Sequence, residues 1–254
     1  MTYTVRQAVR TNDRPNKPFE DRIALAEDTF VVADGVTQNM DEYHEGMTVS
    51  PAGEAAQIAA ESILSVLAPA ADPTAAAPEA VKLAIARTAD YNKTAKSAYP
   101  AAAVYVSGAI REGRLHFSYV GDSVIMLIRS GARIRLSEQQ TAHIRVFGST
   151  KGLSITKREL YDTITDNPDS PLGYGVIFGD ERALSFLRAA SIALEPGDRV
   201  IFSSDGVDQY LYYAPIDELA ALSPDELLDR SARYDEAPYN RYADDKAVVV
   251  VDVK

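Results

Sequence analysis

The chain has 254 residues, with 26 Lys+Arg against 37 Asp+Glu and a formal net charge of −11. No window supplies the clustered Lys and Arg needed to displace counterions from a phosphate backbone, which excludes nucleic acid and, for the same reason, an anionic membrane surface as partners. Apolar residues at 46% and charged residues at 25% are a globular composition, and the absence of Cys excludes a disulfide framework, a thiolate nucleophile and a thiolate metal site. The N-terminus, MTYTVRQAVRTNDRP, has no apolar core of signal-peptide length, and no apolar run approaches the roughly 20 residues that span a bilayer. A cytoplasmic protein, monomeric by default, is the expectation.

In chain order, RIALAEDTFVVADGV (22–36) is two β-prone runs separated by Glu27-Asp28, a hairpin pattern ended by Asp34-Gly35. From Ser50 the stretch SPAGEAAQIAAESILSVLA predicts a helix with Ile58, Ile63, Leu64 and Leu67 on one face and Ser50-Pro51 as its capped start. PAADPTAAAP reads as a breaker, and residues 79–98 as a second helix burying Val81, Ile85 and Ala89. The runs AAAVYVSGAI, LHFSYVG, VIMLIRSG and RIRLS, between 101 and 137, read as an antiparallel meander turning first at 111–114.

Residues 138–180 lose periodicity, carry five glycines and hold one helix-like piece, KRELYDTI. The part from 144 to 180 is expected to be a flap-like excursion. SIALEPGDRVIFSSDGV (191–207) gives two strand segments about the turn 195–198, and two short helical pieces follow, the second capped by Ser223-Pro224-Asp225-Glu226. KAVVVVDV is apolar enough for a central strand, expected to close a sheet begun by the first hairpin. Antiparallel strands with paired helices predict an α+β sandwich, sheets inside and helices outside, as one domain over 1–254.

Five aspartates stand where strands begin or end: Asp21, Asp34, Asp122, Asp205 and Asp244. Any one of them alone reads as a turn residue, because Asp bonds its own backbone. Converging on one sheet edge, they would repel each other unless cations neutralised them. With no thiolates and three histidines, an oxygen-rich site favours Mg²⁺ or Mn²⁺. Two such ions can activate a water and hold a phosphoryl group for in-line attack.

The segments VVADGV, YVGDS, LEPGDRVIFSSDGV and ADDKAVVVV, with the acidic pair Glu20-Asp21 upstream, resemble in order the metal-dependent protein phosphatases, the PPM or type 2C family. The resemblance spans nearly the whole chain and implies a four-layer α-β-β-α sandwich with two mainly antiparallel central sheets flanked by helix pairs. It implies that Asp34 bridges two core Mn²⁺ or Mg²⁺ ions, that the Gly35 carbonyl binds one, and that Asp205 and Asp244 bind the second. Asp21 would act through metal-bound water, Asp122 would bind a possible third ion, and Glu20 would stand behind the ligands. The nucleophile would be metal-bound water.

The sequence departs from the family at three places. Asn39 stands at the spacing of a histidine that protonates the leaving group, and the nearest imidazole is His44, either a substitute general acid or a solvated loop residue. The phosphate-binding arginine has no ungapped counterpart among Arg10, Arg14 and Lys17; Arg14 is placed slightly ahead, against a plain charged loop. Ala101, Ala102 and Val124 replace two threonines and an arginine, which points to a remodelled rim. His116 and His143 read as packing and surface residues.

Three functions are therefore weighed. The first is a Mn²⁺- or Mg²⁺-dependent phosphomonoester hydrolase acting on phosphoserine or phosphothreonine proteins, with Asp34 and Asp205 central and His44 and Arg14 assisting. The second keeps the metals for a small polar metabolite such as a sugar phosphate, ester or lactone. The third is an inactive module that binds a phosphorylated partner.

Overall fold

A computed structural model describes residues 2–10, 17–37, 47–95, 97, 99–144, 160–235 and 244–254. In chain order the strands are β1 (Tyr3–Arg10), β2 (Arg22–Ala26), β3 (Thr29–Gly35), β4 (Ala103–Arg111), β5 (Arg114–Val120), β6 (Val124–Arg129), β7 (Ala132–Arg135), β8 (Arg188–Ala193), β9 (Arg199–Ser203) and β10 (Lys246–Val253). They form two five-stranded sheets, ordered β1-β10-β9-β6-β7 and β2-β3-β4-β5-β8. Every pairing between these strands is antiparallel, as in Asp34 opposite Val104 and Val250 opposite Ile201.

Strand alternation builds the layers. Phe30 and Val32 of β3 point between the sheets, where they meet Val200 and Phe202 of β9 and Ala247, Val249 and Val251 of β10. The Phe30 and Phe202 rings pack edge to face with centroids 4.7 Å apart. Val31 and Ala33 point the other way, onto helices α1 (Pro51–Leu67) and α2 (Pro73–Asn92). Val248 and Val250 turn outward to α3 (Asp208–Tyr213), α4 (Ile216–Ala221) and α5 (Pro224–Asp235). The valine run of β10 is apolar on both faces because both faces are covered, and the strand lies between β1 and β9. The layers are α-β-β-α. Among the described residues no helix is long and apolar enough to cross a membrane.

The helix start at Ser50 is as the sequence predicts: Ser50 is the N-cap, its hydroxyl accepts from the Gly53 N–H at 3.0 Å, and Pro51 opens the helix. A cap of this kind contributes about 1 kcal/mol. The second helix begins earlier and ends earlier than expected. Asp72 caps it by accepting from the backbone N–H groups of Thr74 and Ala75, so the apparent breaker PTAAAP is its first turns, with Pro78 inside.

The meander is not a single one. After β5 the chain crosses to the other sheet through Gly121, at φ 96°, where a Cβ would come within 2.3 Å of Val104. Strands β8 and β9 likewise belong to different sheets. The expectation that the last strand closes the sheet of the first hairpin is also corrected: β10 pairs with β1 and β9, whereas the hairpin β2–β3 belongs to the other sheet. Among the described residues, the outer flank after β9 holds three helices, not two short pieces.

Candidate functional site

Asp21 and Asp34 sit at the start of β2 and the end of β3 in one sheet, while Asp205 and Asp244 follow β9 and precede β10 in the other. Asp122 lies in the crossing between β5 and β6. The structure brings the other four within electrostatic reach of Asp34. Burial raises the Asp34 carboxyl well above the usual carboxylate range, and the negative charges of Asp21, Asp205, Asp244 and Asp122 raise it further, in that order. Asp21 is raised first by burial and then by Asp245, Asp244 and Asp205, while a hydrogen bond from Ser204 pulls the other way. Asp21 is 2% exposed, and its Oδ2 is buried with no hydrogen-bond partner.

The surroundings hold these carboxylates in place. Glu20 accepts hydrogen bonds from the hydroxyls of Ser50, at Oε1, and of Thr37, at 2.5 Å to Oε2, and its own N–H donates to Asp245 Oδ2 at 2.9 Å. Since Ser50 also caps α1, the same hydroxyl ties the helix start to the site. Gly35 permits that approach, because a Cβ there would stand 2.6 Å from the Ala52 carbonyl oxygen. Gly206 is equally constrained: a Cβ would lie 2.2 Å from the Asp245 carbonyl oxygen, and Lys246 Nζ donates to the Gly206 carbonyl at 2.6 Å. The 3-10 turn Asp205–Val207 is thereby clamped onto the start of β10.

Asp122 accepts from Thr141 Oγ1 at 2.7 Å. The neighbouring Gln140 carbonyl accepts from the N–H groups of Gly121 and Gly175, and its amide donates to Phe186, so it pins the described end of the excursion against the crossing. Tyr174 is buried there with Ile164 and Val176, and Phe178 packs against them, so these aromatics fasten the excursion. The helix-like piece of that region is a π-helical turn at Leu160–Ile164.

Lys17 is the basic side chain that enters the cluster. Its side chain is 3% exposed, donates to Asp244 Oδ1, and lies 3.5 Å from Glu20 Oε2 and 3.7 Å from Asp245 Oδ2. Those carboxylates raise its pKa despite burial, which acts in the opposite sense. Arg10 is turned away, paired with Asp229 of α5 at 2.6 Å. Arg14, Asn39 and His44 lie outside the described residues. His116 is in β5 with Nδ1 2.8 Å from Thr74 Oγ1, and His143 is exposed, in keeping with packing and surface roles.

Sequence reasoning ranked Lys17 behind Arg14 and passed over Asp245 and Ser204. A signal for Asp245 was available: it shares the parity of the inward-facing Ala247 and Val249, and the structure buries it. Nothing local marks Lys17 as a partner of a residue 227 positions away.

The donor set is entirely oxygen, with one buried carboxylate oxygen unpartnered, which suits a hard divalent cation. Among the described residues, no three His, Asp or Glu side chains are arranged to hold a metal ion as they stand.

No protein-family profile matches the sequence, and no curated protein matches it by sequence. Solved structures do match by fold. The serine/threonine phosphatase PstP/Ppp of Mycobacterium tuberculosis superposes with a TM-score of 0.67 at 18% identity over 100% of both chains. PppA, a regulatory component of the type VI secretion system in Pseudomonas aeruginosa, gives 0.72 at 16% identity over 100% of this chain and 99% of that one. The catalytic domain of PstP in complex with two manganese ions gives 0.67 at 20% identity over 100% of both. The chain has the fold of the PPM-type serine/threonine phosphatases, as the sequence resemblance implied, and at these identities the likeness is one of fold.

Proposed function

We propose that this chain is a Mn²⁺- or Mg²⁺-dependent phosphomonoester hydrolase acting on phosphoserine or phosphothreonine in proteins, its residues 1–254 forming one catalytic domain. The observation that carries the reading is the convergence of five strand-end aspartates with the Asp21 Oδ2 buried and unpartnered, an arrangement that is costly without a cation. Asp34, the Gly35 carbonyl, Asp205 and Asp244 are the proposed ligands of two ions, Asp21 is proposed to act through metal-bound water, Glu20 to stand behind the ligands, and Asp122 to serve a possible third. Bound ions would neutralise the carboxylates, polarise the phosphoryl group and supply the nucleophilic water.

The chain's own contribution is position. Strands β3, β9 and β10 fix the carboxylates from two sheets, and Glu20, saturated by Ser50 and Thr37, holds the start of α1 against them. Lys17 is a described cation within the carboxylate cluster, and its hydrogen-bonding capacity suits a phosphoryl oxygen when it is not on Asp244. The manganese-bound PstP of the same fold supports the choice of ion.

A second reading keeps the ions and takes a small polar metabolite. It rests on the family departures at Ala101, Ala102 and Val124, which the structure buries in apolar clusters and not at an exposed rim. The test is hydrolysis of p-nitrophenyl phosphate and of a phosphothreonine peptide with Mn²⁺ or chelator, beside Asp34→Asn and Asp205→Asn. Metal-dependent turnover of both substrates, abolished by either variant, supports the first reading. Turnover of sugar phosphates or lactones with an inert peptide supports the second, and no metal-dependent turnover of any of them contradicts both.

A further inference from the structure

Lys17 occupies an unusual place for a lysine. An ammonium is removed from water only when its charge is paired, and here three carboxylates, Asp244, Glu20 and Asp245, lie within 4 Å of Nζ. The three acceptors differ in what else they do. Glu20 takes two hydroxyl hydrogen bonds, and Asp245 takes the Glu20 N–H, so both are anchored within the fold. Asp244 is the most open of them, with its side chain 39% exposed, and its Oδ1 accepts from Lys17 and from the Asp245 N–H at 2.9 Å. It is also the one proposed as an ion ligand. A divalent ion drawn to Asp244 Oδ1 and the Lys17 ammonium already on that oxygen repel each other, so the two cations compete there.

Resting on the metal-dependent reading above, we propose that Lys17 is a tethered cation that holds Asp244 in the metal-free protein and gives it up when a divalent ion binds, remaining paired to Glu20 and Asp245. The fold supplies both positions of the exchange: the acceptor that is lost is the exposed one, and the acceptors that stay are buried and already within 3.5 and 3.7 Å. The lysine would thus neutralise part of the acidic cluster without an ion and set a threshold concentration for filling the site at Asp244.

The test is calorimetric titration of Mn²⁺ into the full chain as wild type, Lys17→Met, Lys17→Gln and Asp34→Asn, with melting curves in chelator and in saturating Mn²⁺. A charge-assisted hydrogen bond that no longer competes predicts one site about tenfold tighter in the Lys17 variants. Both variants should melt below the wild type in chelator and gain more than the wild type on adding Mn²⁺, a pairing that a purely structural lysine would not give. If Lys17→Met does not fold, Lys17→Gln carries the same reading. Mn²⁺ affinity equal to or weaker than the wild type in a folded Lys17 variant overturns the exchange. If Asp34→Asn abolishes Mn²⁺ binding while the Lys17 variants bind as the wild type does, the exchange alone fails. If Asp34→Asn binds as the wild type does, the metal reading fails and the exchange falls with it.

Discussion

Replacing Asp21 by Asn should stabilise the metal-free protein, the opposite of what most substitutions at a buried polar residue do. Asp21 is 2% exposed, its Oδ2 has no hydrogen-bond partner, and Asp245, Asp244 and Asp205 all raise its carboxyl. An amide of the same shape removes the charge and offers two N–H donors to those carboxylates. A buried unsatisfied group costs about 1–3 kcal/mol, and relief of that order is expected. For a chain of this length about 2–4 °C accompanies each kcal/mol, so the midpoint in chelator at pH 7.5 should rise by about 2–12 °C. The sign follows from the raised carboxyl: the folded state favours the protonated form, so stability is present at acid pH and is lost as pH rises and the folded group ionises. The advantage of Asn should therefore shrink on acidification. Saturating Mn²⁺ should stabilise the wild type more than Asp21→Asn. Scanning calorimetry in chelator and in Mn²⁺ measures both quantities. An Asp21→Asn protein that is unchanged or less stable in chelator, with the same Mn²⁺ increment as the wild type, would refute the reasoning.

Gly108→Ala places a Cβ 2.4 Å from the Phe30 ring and 2.8 Å from Phe202 in the centre of the inter-sheet core, and denaturant titration should show a loss of about 1–3 kcal/mol. Asp166 is fully buried, its Oδ1 accepts from the Val176 N–H at 2.8 Å, its Oδ2 has no partner, and burial pushes its carboxyl up to about 8. Its contribution is fully present below the ordinary carboxylate range and is lost as pH rises to about 8, with a slope of about 1.4 kcal/mol per pH unit. Asp166→Asn should flatten the stability profile over that range, and parallel profiles would sink the assignment. Asn92 bonds the Ala101 N–H and carbonyl and the Phe178 carbonyl, joining the end of α2 to the excursion. Asn92→Ala should cost about 1–3 kcal/mol and speed hydrogen exchange at Ala101; unchanged exchange there would count against that bridging role.

The parts of the fold that were legible are those set by local chemistry. The cap at Ser50-Pro51, the hairpin at Glu27-Asp28 and the two-faced apolar strand KAVVVVDV each declare themselves within a few residues. Sheet membership does not, because β5 and β6 carry similar apolar alternation on either side of the crossing at Gly121, and only the partner across the sheet decides. Strand β1 passed unread because it is an edge strand whose alternate residues Thr4, Arg6 and Arg10 are polar, and its pairing with β10 spans the whole chain. The helix at Pro73 was hidden by prolines that usually break helices but are tolerated in the first turns. At the site, the five aspartates were visible as strand-end residues in family order, while Lys17 became informative only when folding brought Asp244 to it. His44 and Arg14 lie outside the described residues.

The most direct measurement is anomalous X-ray scattering from crystals of the protein grown in saturating Mn²⁺, with data collected at the manganese edge. The account predicts manganese among Asp34, Asp205 and Asp244, with Lys17 no longer bonded to Asp244. Crystals in which the aspartates hold no manganese and Lys17 still bonds Asp244 would contradict it.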